Sequence, residues 1–197
     1  MGAIWSIILA AGESKRMGFP KMLLQFNGKT MIESVIDHVA ESETEGILVV
    51  LGANSEDIIE LVRKFDVSYC YNDNYRDGML SSVRCGFKNL PADTEAVMVF
   101  QGDQPFITPA VINSLILKYR SSGRGIVIPV HNGKRGHPLL LDRKYFDKID
   151  KLDPGEGLRS ITHIYSDDIL EVKTDEPGIL RDFDTYDDYK REFNQIK

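Results

Sequence analysis

The chain has no surplus of basic residues: 24 lysines and arginines stand against 30 aspartates and glutamates, a formal net charge of -6. A long polyanion needs a broad basic face, so this balance argues against a nucleic-acid surface. A single phosphate chain stays open, because backbone amides and a few local cations suffice for it. No apolar run is long enough to span a bilayer, and Met1 to Leu9 lacks the basic start of a signal peptide. A cytoplasmic protein with neither membrane nor nucleic acid as partner is the expectation. The 2 cysteines, Cys70 and Cys85, fall in no metal-ligand spacing. Reduced, partly buried thiols are expected there rather than a structural disulfide.

Two familiar phosphate motifs are also missing. No Gly-x-Gly-x-x-Gly follows the first apolar run, so the dinucleotide fingerprint is absent. Gly28-Lys29-Thr30 imitates the end of a P-loop, but the position that motif reserves for its first glycine is Leu23. Asn27-Gly28 reads instead as a turn, with Thr30 capping the helix that follows. Internal repeats, low-complexity tracts and linkers are absent as well, and 197 residues suit one domain spanning 1–197.

What is present is an alternation. Ile4 to Leu9, Ile47 to Leu51, Val67 to Tyr71, Ala96 to Phe100 and Ile126 to Val130 are short runs rich in β-branched residues. They lack polar alternation, as strands covered on both faces do. Between them lie helical patterns: Thr30 to Ala40, Ser55 to Phe65 with Asn54 or Ser55 as N-cap, Met79 to Leu90, and Pro109 to Tyr119 behind the cap Thr108. A charged C-terminal helix, Asp184 to Ile196, is expected to pack through Tyr189 and Phe193. Strand and helix alternating in this way predict an α/β fold with a mostly parallel sheet covered on both faces.

The loop behind the first strand is the most informative stretch. It reads Leu9-Ala10-Ala11-Gly12-Glu13-Ser14-Lys15-Arg16-Met17-Gly18-Phe19-Pro20-Lys21. Ligands of open α/β sheets sit beyond the carboxyl ends of the strands. Small residues at Ala10, Ala11 and Gly12 leave backbone N–H groups open to a phosphate, and Arg16 and Lys21 add two cations. A solvated basic turn would explain any three of these residues, but not the whole run. A second site candidate, Phe100-Gln101-Gly102-Asp103-Gln104-Pro105, ends a buried strand on the same sheet edge. A carboxylate there can hold Mg²⁺, which bridges protein carboxylates to substrate phosphates.

The first loop together with Gly-Asp-Gln-Pro resembles the signature of the MobA-like nucleotidyltransferases, and most closely their molybdenum cofactor cytidylyltransferase branch. The resemblance runs from Ile4 to Tyr189. It implies a three-layer α/β/α, Rossmann-like fold of the nucleotide-diphospho-sugar transferase (GT-A-like) type. It also implies transfer of CMP from CTP to molybdopterin with loss of pyrophosphate, Mg²⁺ as cofactor, and a molybdenum hydroxylase as a further partner. Ala11 and Pro20 stand where the guanylyltransferase branch typically has Gly and Asp, which favours cytidine. Asp103 is then the implied metal ligand and Arg16, Lys21 and Asp103 the catalytic residues. Leu9, Ala10, Ala11, Gly12 and Gly102 would line the nucleotide site. Asp182 and Asp184 resemble the family's second acidic segment, although Asp184 could equally be a helix N-cap with Asp187 at N3.

Ser81, Ser82 and Arg84, in Asp77-Gly78-Met79-Leu80-Ser81-Ser82-Val83-Arg84, resemble a segment of the cytidylyltransferase branch that contacts nucleotide or acceptor. Gly136-His137-Pro138 resembles the family's entry to the acceptor side, with His137 as a binder. Arg159, in a stretch that departs from the family pattern, is a candidate for an acceptor phosphate. GTP-dependent transfer, a sugar- or alcohol-phosphate acceptor, a non-catalytic hydroxylase accessory protein and a nucleotide sensor are the alternatives.

Overall fold

The computed structural model describes residues 2–183 and 185–195. Its strands are β1 (Ala3–Ala10), β2 (Gln25–Phe26), β3 (Lys29–Thr30), β4 (Gly46–Leu51), β5 (Ser68–Tyr71), β6 (Thr94–Gln101), β7 (Ile126–His131), β8 (Lys134–Arg135), β9 (Leu139–Asp142) and β10 (Ile169–Lys173). Its helices are α1 (Met31–Ala40), α2 (Ser55–Val62), α3 (Met79–Lys88), α4 (Pro109–Ser122), α5 (Phe146–Ile149), α6 (Arg159–Ile164) and α7 (Tyr186–Gln195). The main sheet has the order β10-β7-β9-β6-β1-β4-β5, with β8 paired to β7.

The β6-β1-β4-β5 side is parallel throughout. β6, β1 and β4 each divide their apolar side chains between two cores, whereas the edge strand β5 buries only Cys70. Ile4, Ile8, Val49, Leu51, Met98 and Phe100 meet α1, α2 and α4 on one face. Ile7, Leu9, Leu48, Val50, Val97 and Val99 meet α3, α5 and α6 on the other. That double burial is why these strands read as continuous apolar runs, and it gives the expected three-layer α/β/α fold.

The other side of the sheet departs from expectation. β9 lies between β6 and β7 and runs antiparallel to both, and β10 adds an edge strand that the sequence patterns did not reveal. β9 follows the cis His137–Pro138 bond.

Local signals match the structure unevenly. Thr30 forms a capping box with Glu33, and the Thr108 hydroxyl accepts from Val111 N–H. Asn27-Gly28 and Asn132-Gly133 are tight turns at positive φ. Asn54 stands at the N-cap of α2 in a left-handed conformation but makes no side-chain cap bond, and α2 ends at Val62 rather than Phe65. The start of α7 is capped one residue later than expected. Thr185 Oγ1 accepts from the Asp188 N–H while the Asp188 carboxylate accepts from Thr185, so Asp187 plays no part. Asp184 and the Phe193 side chain lie outside the described residues.

Candidate active site

The loop leaving β1 is held by its own groups and by a small satellite core. Ser14 takes a positive φ, its carbonyl accepts from Met17 and Gly18, and its hydroxyl accepts from the Lys21 N–H at 3.1 Å. Met17 drops into a cluster with Leu24, Phe26, Met31 and Phe183. With the chain anchored at Met17 and Ser14, the intervening turn stays exposed and Lys21 is carried back over the sheet edge. Its ammonium sits 3.1 Å from the Asp103 carboxylate, with both side chains mostly shielded, at 12% and 14% exposure.

Asp103 reaches this point because β6 ends at Gln101 and turns through Gly102. The Gly102 N–H donates to the Leu9 carbonyl at the end of β1. A β-carbon at Gly102 would stand 2.8 Å from Met22 Sδ and 3.1 Å from that carbonyl, so a larger residue would have to displace the Met22 thioether and crowd the end of β1. The β1 loop and the β6 carboxylate are thereby fixed together.

Three cavities adjoin along this edge. The first, about 210 Å³, is walled by Gly12, Ser14, Lys15, Arg16, Lys21, Met22 and Asp103. The second, about 240 Å³, shares Gly12, Met22 and Asp103 with it and adds Leu9, Ala11, Tyr75, Ser82 and Gln101. The third, about 710 Å³, shares Leu9, Met79 and Gln101 with the second and runs past His137 to Arg159. Shared walls make them one groove, cationic at one end and wide, with mixed polar and apolar walls, at the other.

A divalent cation fits the residues at its centre. Asp103 offers a hard carboxylate oxygen on the wall of both smaller cavities, and one cationic group, the Lys21 ammonium, already rests against it. Among the described residues no three His, Cys, Asp or Glu side chains cluster as a closed cage. An open site of one or two carboxylates completed by substrate oxygens is the arrangement Mg²⁺ adopts with phosphates. Asp182 is exposed beside Phe183, which anchors in the same cluster as Met17. The C-terminal segment does approach the loop: the Asp188 carboxyl is held below its ordinary range chiefly by Thr185, with Arg191 and Lys21 adding to it.

Several expected binders stand elsewhere. Arg84 turns away from the groove and donates to the carbonyls of Ile149, Asp150 and Leu152, closing the end of α5. Its helix position gave no direction, and the unpaired carbonyls at a helix end attract a guanidinium strongly. Ala10 is fully buried within β1, and Gly102 is buried in the strand junction, so neither offers a binding surface. Ser81 is taken up by structure: it receives a bond from the Asn72 amide, and its one hydroxyl proton is shared between the Asn74 and Gly78 carbonyls, each 2.8 Å away. Ser82 also receives the Asn72 amide but remains on the wall of the second cavity. Leu9, Ala11, Gly12, Arg16, Lys21, Asp103, His137 and Arg159 all line the groove.

His137 pairs its Nε2 with the Gln101 amide at 2.9 Å. Burial pushes its pKa below the ordinary imidazole value, against the pull of the Asp103 charge. Gln101, Ser14 and Met22 were not singled out in the sequence. The signal for Ser14 was its place in the loop motif, whereas Gln101 carried only its adjacency to Gly-Asp.

A three-layer sheet with a cationic loop beyond its first strand and a carboxylate beyond the neighbouring one places the chain among the NTP transferases. The MobA-like NTP transferase domain model matches residues 6–169, and the chain belongs to that family. It is 28% identical over 191 residues to the molybdenum cofactor cytidylyltransferase of Escherichia coli strain K12, covering 96% of this chain and 95% of that protein. It is also 28% identical over 180 residues to a probable molybdenum cofactor guanylyltransferase of Methanosarcina acetivorans, covering 87% and 78%. In fold it is similar to Rv0371c of Mycobacterium tuberculosis H37Rv, with a TM-score of 0.87 at 23% identity and 98% of each chain covered. That protein was also solved in complex with manganese, matching here at a TM-score of 0.79 with 23% identity over 96% and 97% of the chains.

Proposed function

We propose that this chain transfers CMP from CTP to molybdopterin, releasing pyrophosphate. The observation that carries the reading is the continuous groove: a cavity walled by Gly12, Arg16 and Lys21 passes Asp103 and opens into one about three times larger, from about 210 to about 710 Å³. The small end suits a triphosphate and the wide end a bulky, partly apolar acceptor.

The chemistry follows from charge and position. Backbone N–H groups at Ala11 and Gly12, with Arg16 and Lys21, receive the triphosphate. An acceptor phosphate oxygen attacks the α-phosphorus from the wide side, a new P–O bond forms, the bond to the β-phosphate breaks, and pyrophosphate leaves. A Mg²⁺ ion held by Asp103, with Asp182 or Asp184 as neighbour, supplies neutralisation of phosphate charge when bound. Lys21 exchanges its Asp103 partner for phosphate oxygens, and Arg16 takes part of the charge developing on the leaving group. Arg159, at the far wall, meets the acceptor's anionic group. His137, neutral at pH 7, orients rather than transfers a proton. No covalent enzyme intermediate is needed.

Ala11 and Pro20 support cytidine over guanosine. GTP is the alternative donor, because relatives named for both activities share the same 28% identity. Pyrophosphate release with Mg²⁺, each NTP and either molybdopterin or a sugar phosphate as acceptor, in wild type beside Asp103→Ala, tests the reading. Turnover with CTP that disappears in the variant supports it. Turnover with GTP alone moves the protein to the other donor, turnover only with sugar phosphates changes the acceptor, and pterin binding without turnover marks an accessory protein.

A further inference from the structure

We infer that Gln101, oriented by His137, is a further residue of the transfer site, its carboxamide donating to a phosphate oxygen of the reacting pair where the two substrate cavities meet. The inference rests on the nucleotidyl-transfer reading of the groove. Its first support is position. Leu9, Met79 and Gln101 line both the middle and the wide cavity, and Gln101 alone of these three has a polar side chain. It closes β6 two residues before Asp103, at the sheet edge where donor and acceptor must approach.

The second support is the way the amide is held. Gln101 Nε2 lies 2.9 Å from His137 Nε2. A carboxamide nitrogen only donates, so with it facing the ring this imidazole nitrogen accepts and the ring proton falls on Nδ1, a buried nitrogen without a hydrogen bond among the described residues. The backbone that carries the ring is fixed, because the His137 N–H is bonded to the Ile179 carbonyl at 2.9 Å and β9 begins two residues later. One amide hydrogen is thereby committed to His137, and the other hydrogen and the carbonyl oxygen remain for a ligand. Among the described residues, the buried oxygens left without a partner include that of Gln104 and not that of Gln101. Gln101 itself is half-buried and lines both cavities.

A purely structural stitch between β6 and the start of β9 explains the pair less well. The two strands are already joined in register from Ala96–Val99 to Leu139–Asp142. A stitch would also work as well beneath the sheet edge, whereas this one stands on the wall that both cavities share. A neutral amide adds a directed donor without adding charge to the Lys21–Asp103 pair, which suits a site where attacking and departing oxygens both carry negative charge.

The test uses Gln101→Leu, His137→Phe and His137→Asn in the full-length protein. Its readouts are kcat, both KM values, thermal midpoint and the Gln101 side-chain amide resonances. Gln101→Leu should fold normally, keep the NTP KM within about twofold, and lose on the order of tenfold to a hundredfold in kcat. His137→Phe should reproduce that loss and release the Gln101 amide to fast solvent exchange. His137→Asn, which keeps an acceptor, should recover part of the rate. A kcat for Gln101→Leu within twofold of wild type overturns the inference, as does a Gln101 amide that exchanges alike in wild type and His137→Phe. If wild type turns over no NTP, the transfer reading falls and Gln101's role in it falls too. The amide resonances then still decide whether His137 orients Gln101.

Discussion

The two ends of the groove solve different problems with different materials. The cationic end, proposed for the nucleotide donor, is a single short stretch, Gly12 to Met22, folded over one carboxylate, and three of its wall residues are cations. The wide end, proposed for the acceptor, is assembled from segments around Met79, Gln101, Ile128, His137 and Leu158, and its walls mix apolar side chains with polar and charged ones such as Arg135, Glu156 and Arg159. A triphosphate is recognised by charge, which a few contiguous residues can supply. A large acceptor is recognised by shape, which needs walls from several elements. Changes at the cationic end should therefore act on rate, changes on the far wall at Arg159 on acceptor affinity, and Gln101, on the wall that the middle and wide cavities share, on rate again.

Asp103→Asn should break the comparison most severely, removing the carboxylate on the wall of both smaller cavities; steady-state kinetics should show a fall in kcat on the order of a thousandfold. Lys21→Met keeps the stem and removes the charge. Its kcat should fall on the order of a hundredfold, and near-normal turnover would remove Lys21 from the transfer step.

Arg159→Ala probes the other end. It should raise the acceptor KM by about tenfold while the NTP KM stays within twofold, roughly the loss of one charge-assisted hydrogen bond. A rise in the NTP KM instead would mean that the ends are assigned the wrong way round. Arg84→Ala sharpens the boundary of the site. Its three carbonyl bonds lie outside the groove, so chemical denaturation should show about 1–3 kcal/mol lost with both KM values unchanged.

The smallest effect concerns pH. Burial holds the folded His137 pKa below the ordinary imidazole value. Above about pH 6.5 both folded and unfolded forms are neutral and contribute no slope. As pH falls below that value, the unfolded chain takes up a proton that the folded chain resists, so stability declines until the folded pKa is reached. Comparing denaturant midpoints at pH 7.5 and 5.5 should show this decline, reduced in His137→Gln.

The same contrast governs how far the sequence could be read. Parallel strands buried on both faces, such as β1, β4 and β6, announce themselves as apolar runs. β9 and β10 are short, and β9 follows a proline, so neither displayed a period. Asp103 and Lys21 were visible because loop chemistry is local and contiguous. Arg84 misled because a residue in the first turns of a helix has a position without a direction, and the carbonyls ending α5 could not be foreseen at that distance. Gln101 stayed hidden for the opposite reason: its partner His137 is 36 residues away. The acceptor cavity, being a product of packing, had no sequence signature beyond its individual binders.

The most direct measurement follows the α-phosphorus itself. CTP labelled at the α-phosphate is mixed with wild type or Asp103→Asn, Mg²⁺ and molybdopterin, and the label is traced through a single turnover. Nucleotidyl transfer predicts label on the pterin in wild type and almost none in the variant. Label remaining in CTP, or appearing in both proteins only as free CMP, would contradict it.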